Sequence, residues 1–371
     1  MSKSKLGTIE AIFLVLSVIA PFVVTSLPRT IVNEQKSSSL LNLIYVTIIA
    51  LIICYLIYRF FKNFPGQDII DVSNYLGGNT FKNIIGIIYI LYFIVSSSML
   101  LRNFSEGLKV VNFPYADVIY IVLMFLIAIT IANHLGFSST IRTTTLIFPL
   151  ILLSIVLLFV SNLGNFSFQR IFPILGDGFN NTFILGLTNI GAFAGISYIY
   201  FLPPLLKKPE NFKNVAILST LFSGIFIFIC VATLLFMFSI FINTDEIMPL
   251  FIVSRYIEFG SFFQRFESLF LLIWTISFTC YLSIACKFST YIFKKIFNLE
   301  SSLEISYIFV ILIFAITLLP KNYAISNLFE TSIYRILSIS LILLGLIILI
   351  LSNLKNKSTL LKTKKQRKVD N

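Results

Sequence analysis

Apolar runs of about twenty residues, separated by short polar segments, dominate the chain. Ten can be drawn: 11–27, 40–58, 83–101, 118–133, 143–163, 183–206, 215–242, 269–286, 305–319 and 336–354. A helix rises about 1.5 Å per residue, so roughly 20 apolar residues cross the hydrocarbon layer of a bilayer. The pattern predicts an all-α polytopic membrane protein with ten transmembrane helices. The membrane domain would span residues 1–354, with a basic tail over 355–371. Three runs are irregular. The first contains Pro21, the sixth is dotted with glycine, and the ninth is short.

Composition agrees. Of 371 residues, 57% are hydrophobic and 12% charged. Soluble domains carry roughly 45–50% apolar and about 25% charged residues. Such a chain cannot cover a water-facing surface with polar groups. The formal net charge of +12 follows from topology. With ten spans both termini share one side, and roughly two thirds of the 28 Lys and Arg fall there. The positive-inside rule makes that side cytoplasmic. The Lys362–Lys368 stretch has no interleaved aromatics, so it reads as a solvated tail facing anionic lipid rather than nucleic acid. The first run lacks a small-x-small cleavage site and reads as a retained helix.

Charge placement narrows the chemistry. Glu10, Arg102, Glu106, Asp117, His134, Glu267, Lys287 and Glu304 all fall near run ends, which predicts an interior almost free of charge. One His, and four Cys that lie inside runs (Cys54, Cys230, Cys280 and Cys286), provide no metal set, cofactor attachment or disulfide scaffold. No nucleophile–base set can be assembled, so the chain does not read as an enzyme. A small neutral or zwitterionic ligand, held by backbone and uncharged side chains, fits this interior.

Ten runs divide into five plus five, about 8–163 and 178–354. In many transporter folds the first helix of each inverted repeat is interrupted at mid-membrane. Those positions are the irregular ones here. Pro21 removes a backbone donor, which predicts a kink or opening in the stretch through Val23, Val24 and Thr25. Gly191, Phe193 and Gly195 lie in the sixth run. The glycines either ease an opening there or form a close helix contact. Polar faces occur at Tyr92 and Ser96 in the third run and at Ser277 and Tyr281 in the eighth, each pair four residues apart. Asp245 and Glu246, ahead of Pro249, read as the start of an amphipathic helix, either a lid over the outer mouth or an interfacial helix. Residues 62–71 read as a turn followed by a short surface helix.

The order of these pieces resembles the B subunit of bacterial spore germinant receptors, the GerAB type. The resemblance runs through Leu27-Pro28-Arg29, Phe64-Pro65-Gly66-Gln67, the stretch from Ile88 to Phe93, and Leu101 to Glu106. It continues through Pro204 to Pro209, Phe263 to Glu267, and Leu272-Ile273-Trp274. It implies the LeuT-like fold of the amino acid–polyamine–organocation superfamily, a five-plus-five inverted repeat with helices one and six interrupted. It also implies a nutrient-sensing subunit in the spore inner membrane that works with an A subunit and a lipoprotein C subunit. By the same resemblance a germinant such as an amino acid would sit among Pro21, Val23, Val24, Thr25, Tyr92, Ser96, Gly191, Phe193, Gly195, Ser277 and Tyr281. Relatives often carry glycine near Pro21 and Val23, and an acid where Ser197 stands. The latter difference favours a less cationic germinant. A plain amino acid permease, or an ion-conducting or structural subunit, would share the fold.

Overall fold

A computed structural model describes residues 5–238, 248–257, 266–300 and 303–369, with side chains as far as Lys357. Asp245 and Glu246, the tail side chains from Lys362 to Lys368, and the Phe263-Gln264-Arg265 part of the motif lie outside the described residues.

The described residues form helices α1 (Thr8–Thr25), α2 (Leu27–Gln35), α3 (Ser39–Phe61), α4 (Ile69–Asn112), α5 (Val118–His134), α6 (Phe137–Ser161) and α7 (Ile196–Ile199). They continue with α8 (Phe212–Met237), α9 (Pro249–Arg255), α10 (Phe266–Phe297), α11 (Leu303–Thr317), α12 (Tyr323–Leu328) and α13 (Tyr334–Val369). Among the described residues no strand occurs, only an isolated bridge between Leu6 and Leu206. Seven helical segments are long and apolar enough to cross a membrane, and α5 and α11 are shorter apolar helices. Leu146, Met124 and Ile311 are among the exposed large side chains of α6, α5 and α11. Lipid solvates such side chains at no cost, whereas an open backbone there would be orphaned.

α1 is central and almost wholly buried; it packs on α6, α8 and α10. α4 packs on α10, α11 and α13, and α3 packs on α8. The sixth run is irregular throughout. A π turn (Asn180–Ile184) leads into a 3-10 stretch (Leu185–Phe193) and then into the four residues of α7.

The structure corrects three expectations. α1 continues through Pro21, and the break falls at Ser26 (φ −124°, ψ −20°), whose N–H still donates to the Phe22 carbonyl. Proline forfeits one helical hydrogen bond and crowds the preceding turn, but tight packing on all sides holds the helix together past it. The segment after residue 62 turns and then forms the short helix expected, set off from the rest of α4 by a kink at Gly77 and Gly78 (φ 72° at Gly78), but that helix does not lie free on the surface. Asp68 is fully buried and caps α4, accepting from the N–H groups of Ile70 (2.9 Å) and Asp71 (3.1 Å). Lys295 pairs with Asp68 (2.7 Å) and Asp71 (2.6 Å), and the Tyr291 hydroxyl donates to Asp68. Burial pushes the Asp68 carboxyl upward in pKa against the pull of Lys295. The last apolar helix also begins earlier than residue 336. Asn322 caps α12 by accepting from Ile325 N–H (3.1 Å), and a π turn (Phe329–Ile333) joins α12 to α13.

Among the described residues, α9 starts at Pro249, the proline the sequence marks as a helix start. Its Leu250, Phe251 and Val253 are buried against α8 and α10.

Candidate functional site

That earlier start carries a carboxylate into the interior. Glu330 is only 4% exposed and accepts hydrogen bonds from the Thr25 and Ser26 hydroxyls and from Asn103 Nδ2. The interior is therefore not charge-free as the run pattern predicts. The Asn322 cap followed by eleven residues with a single charge, Tyr323 to Ile333, was the sequence signal for it. A buried carboxylate needs donors to replace its hydration, and the α1–α2 break supplies two of them. Arg335, one turn further on, donates to Glu34 of α2 and, at 2.9 Å, to Asn189 Oδ1 of the sixth run. Asn189 Nδ2 in turn donates to Asn42 of α3 (2.8 Å). Polar side chains thus tie α2, α3, the sixth run and α13 together beside the break.

Aromatic rings lie next to this carboxylate. Phe22 stacks on Tyr334 (centroids 4.2 Å apart) and meets Tyr281 edge-on (5.7 Å). Tyr92 lies parallel to Tyr334 (5.9 Å), and its hydroxyl shares a hydrogen bond with Ser338 (2.7 Å). Glu330, Tyr334 and Ser338 are four apart along the last helix. Asn103, Ser96 and Tyr92 line one stretch of α4. Ser96, on the same stretch of α4, and Ser277, one turn before Tyr281 on α10, have buried hydroxyls without hydrogen-bond partners. Asn103 Oδ1 is likewise buried and unpaired, and Ser197 lies against the Tyr92 hydroxyl. Buried polar atoms are nearly always satisfied, so a concentration of unpaired ones marks a place built for a polar guest or for water. A second aromatic block closes one end: Phe93 stacks on Tyr198 (4.3 Å), and Phe288 packs edge-on against both.

The candidates separate accordingly. Thr25, Tyr92, Ser96, Ser277 and Tyr281 surround this region. Pro21, Val23, Val24 and Phe193 are buried on the same elements without polar contacts through their side chains. Gly191 and Gly195 sit at helix contacts. A Cβ on Gly191 would lie 2.6 Å from the Arg335 carbonyl oxygen, and one on Gly195 would lie 3.0 Å from the Val15 carbonyl oxygen. Both glycines therefore let the sixth run approach α13 and α1 closely. Glu330, Tyr334 and Ser338 are the residues that sequence reasoning missed, and Phe22 lies within the Pro21–Thr25 stretch it pointed to. The described residues hold no cluster of three or more His, Cys, Asp or Glu side chains able to hold a metal ion.

Known proteins resemble the chain in both sequence and fold. The family described as "Spore germination protein", the spore permeases, matches residues 5–326. Spore germination protein YndE of Bacillus subtilis (strain 168) is 24% identical over 280 residues, covering 73% of this chain and 75% of that protein. Spore germination protein B2 of the same organism is 23% identical over 280 residues, covering 74% and 75%. Among solved structures, the substrate-bound outward-open state of a Na+-coupled sialic acid symporter superposes with a TM-score of 0.62 at 15% identity, covering 92% of this chain and 77% of that one. The Eremococcus coleocola manganese transporter, in complex with an aromatic bis-isothiourea substituted compound, gives a TM-score of 0.52 at 11% identity, covering 94% and 79%. At such identities the likeness speaks for the fold alone. The chain belongs to the spore germination permease family, that of the germinant receptor B subunits, and is a multi-pass membrane protein with the fold of LeuT-type transporters.

Proposed function

We propose that the chain is the nutrient-sensing subunit of a spore germination receptor and binds a small germinant, such as an amino acid, between α1, α4, the sixth run, α10 and α13. The observation that carries this is the two unpaired buried hydroxyls, Ser96 and Ser277, on the helices that bring Tyr92 and Tyr281 against Phe22 and Tyr334, with Glu330 one turn before Tyr334. The ring faces suit an apolar side chain or a cation, and the carboxylate suits an ammonium. Glu330 also supplies an acid that Ser197 does not, so a zwitterionic nutrient fits better than a wholly neutral one. Ten crossings would arise from the seven long segments, the two shorter apolar helices and the irregular sixth run, arranged as two inverted repeats of five over about 8–163 and 178–354. Both termini would face the cytoplasm from the spore inner membrane, with the basic tail 355–371 on that side. An A subunit and a lipoprotein C subunit would complete the receptor. Binding would bias the arrangement of α1 and the sixth run only as far as the ligand favours one state over the other.

Spores relying on this chain, germinated on a panel of single nutrients, test the proposal. Y92L and S277L should raise the required nutrient concentration about ten-fold or more with the subunit level unchanged, since the first removes the Tyr92 hydroxyl and the second puts a bulky side chain in place of a small buried hydroxyl. An unaltered nutrient response in spores carrying both substitutions would sink the pocket assignment. The transporter fold also favours a second reading, an amino acid permease. Uptake of labelled nutrient into vesicles holding only this chain would support it over the receptor.

A further inference from the structure

Away from the aromatic region lies a cavity of about 350 Å³, where the last turns of α10 meet the end of α5 and the starts of α6 and α11. Asn133, Gly136, Lys287, Thr290, Lys294 and Ser306 are among its lining, and no acidic residue is. Lys287 is only 8% exposed. Its Nζ donates to the Ala132 carbonyl (3.1 Å), and among the described residues no carboxylate lies within ion-pair distance of it. Lys294 donates to the Glu300 carbonyl (2.6 Å). Lys295, which also lines the cavity, is already neutralised by Asp68 and Asp71. The one other titratable side chain at the end of α5, His134, is exposed and bonds the Tyr307 hydroxyl (3.0 Å).

Two further sets of donors lie beside the same space. Asn133 is 4% exposed. Its Oδ1 accepts from the Ser283 hydroxyl (3.0 Å), while its Nδ2 is buried without a partner. Gly136 caps α6, a helix of 25 residues, and offers no side chain to the first-turn N–H groups. Those N–H groups carry the positive end of the helix dipole. A buried ammonium without a counter-ion and an uncapped helix start border one cavity whose lining includes no acidic residue, and the Asn133 amide lies just behind that lining, beside Cys286.

We propose that this cavity binds a phosphate group. The donors come from three elements and suit an oxyanion with several acceptors, and the volume far exceeds the roughly 30 Å³ share of one water. The phosphate has two possible sources, inorganic phosphate or an anionic lipid headgroup. The cavity lies where α5 and α10 end and α6 and α11 begin, a position open to both.

The test uses the full chain in maltoside micelles, which contain no phosphate, and follows its thermal unfolding midpoint. One arm adds sodium phosphate against sodium chloride of equal ionic strength. The other adds phosphatidylglycerol. A rise with sodium phosphate identifies the free anion, and a rise only with phosphatidylglycerol identifies the lipid; either supports the proposal. K287M removes the ammonium, and N133D supplies an internal counter-ion of the same shape. Each should weaken the apparent affinity about ten-fold or more while leaving the chain folded. No rise in either arm for the unmodified chain, or the same rise in both variants, overturns it.

Discussion

Glu330 shows how one buried residue depends on its partners. Three donors from two other elements converge on its carboxylate: Thr25 and Ser26 at the α1–α2 break, and Asn103 on α4. E330A would strand the Ser26 hydroxyl, while Thr25 keeps the Pro21 and Phe22 carbonyls (3.2 and 3.3 Å) and Asn103 keeps the Ser326 carbonyl (3.3 Å). Orphaned buried donors cost about 1–3 kcal/mol each, although hydrogen bonds inside membrane proteins often measure at the low end. E330A should therefore lower stability by about 2 kcal/mol, and E330Q by roughly half of that, because the amide retains one acceptor. Unfolding in mixed micelles reads both. An E330A chain as stable as the unmodified one would mean that Glu330 does not hold the break to α4. The sequence hid this residue for a physical reason. An acid preceding an apolar run reads as interfacial unless the helix is known to start earlier, and only the Asn322 cap signals that start.

Elements are positioned by what they lack. The sixth run can approach α13 because position 191 has no side chain. An alanine there would put Cβ 2.7 Å from Arg335 Cα, closer than real contacts allow. G191A should cost about 1–3 kcal/mol, the usual penalty for overpacking. G164A, where nothing lies within 4 Å, should leave the unfolding midpoint unchanged. Equal stability of the two variants would contradict the close contact. The two readings of Gly191 and Gly195, helix opening and close packing, were both legible in sequence and are not exclusive. The run is irregular and its glycines are packed. Pro21 misled for a related reason. Proline marks a weak point in a helix, but the neighbours decide whether the helix opens there, and it opens at Ser26, where Thr25 and Ser26 find an acceptor in Glu330.

At the scale of the whole molecule, ion pairs between distant elements hold two separate places. At one of them Asp68, wholly buried, joins the start of α4 to Tyr291 and Lys295 near the end of α10. Removing the cation leaves a buried carboxylate without a counter-ion, a loss of about 3 kcal/mol or more. K295M should lower the unfolding midpoint accordingly, and adding D68N should restore part of it. A K295M chain that unfolds like the unmodified one would show that this pair does not latch α4 to α10. At the other Glu34, Arg335 and Asn189 bridge α2, α13 and the sixth run.

The sequence alone determined the class of molecule. Runs of about twenty apolar residues can be satisfied only by helices in a bilayer, and that constraint is local to each run. Motif order carried the family resemblance for the same reason, since each piece is read along the chain. The tertiary structure decided what depends on distant partners. It placed the helix break at Ser26 rather than Pro21, buried Glu330 and Asp68, and brought Phe22, Tyr92, Tyr281 and Tyr334 together from four helices. Whether a charge is buried, or a glycine filled, is a property of neighbours hundreds of residues away, and no periodicity in the chain encodes it.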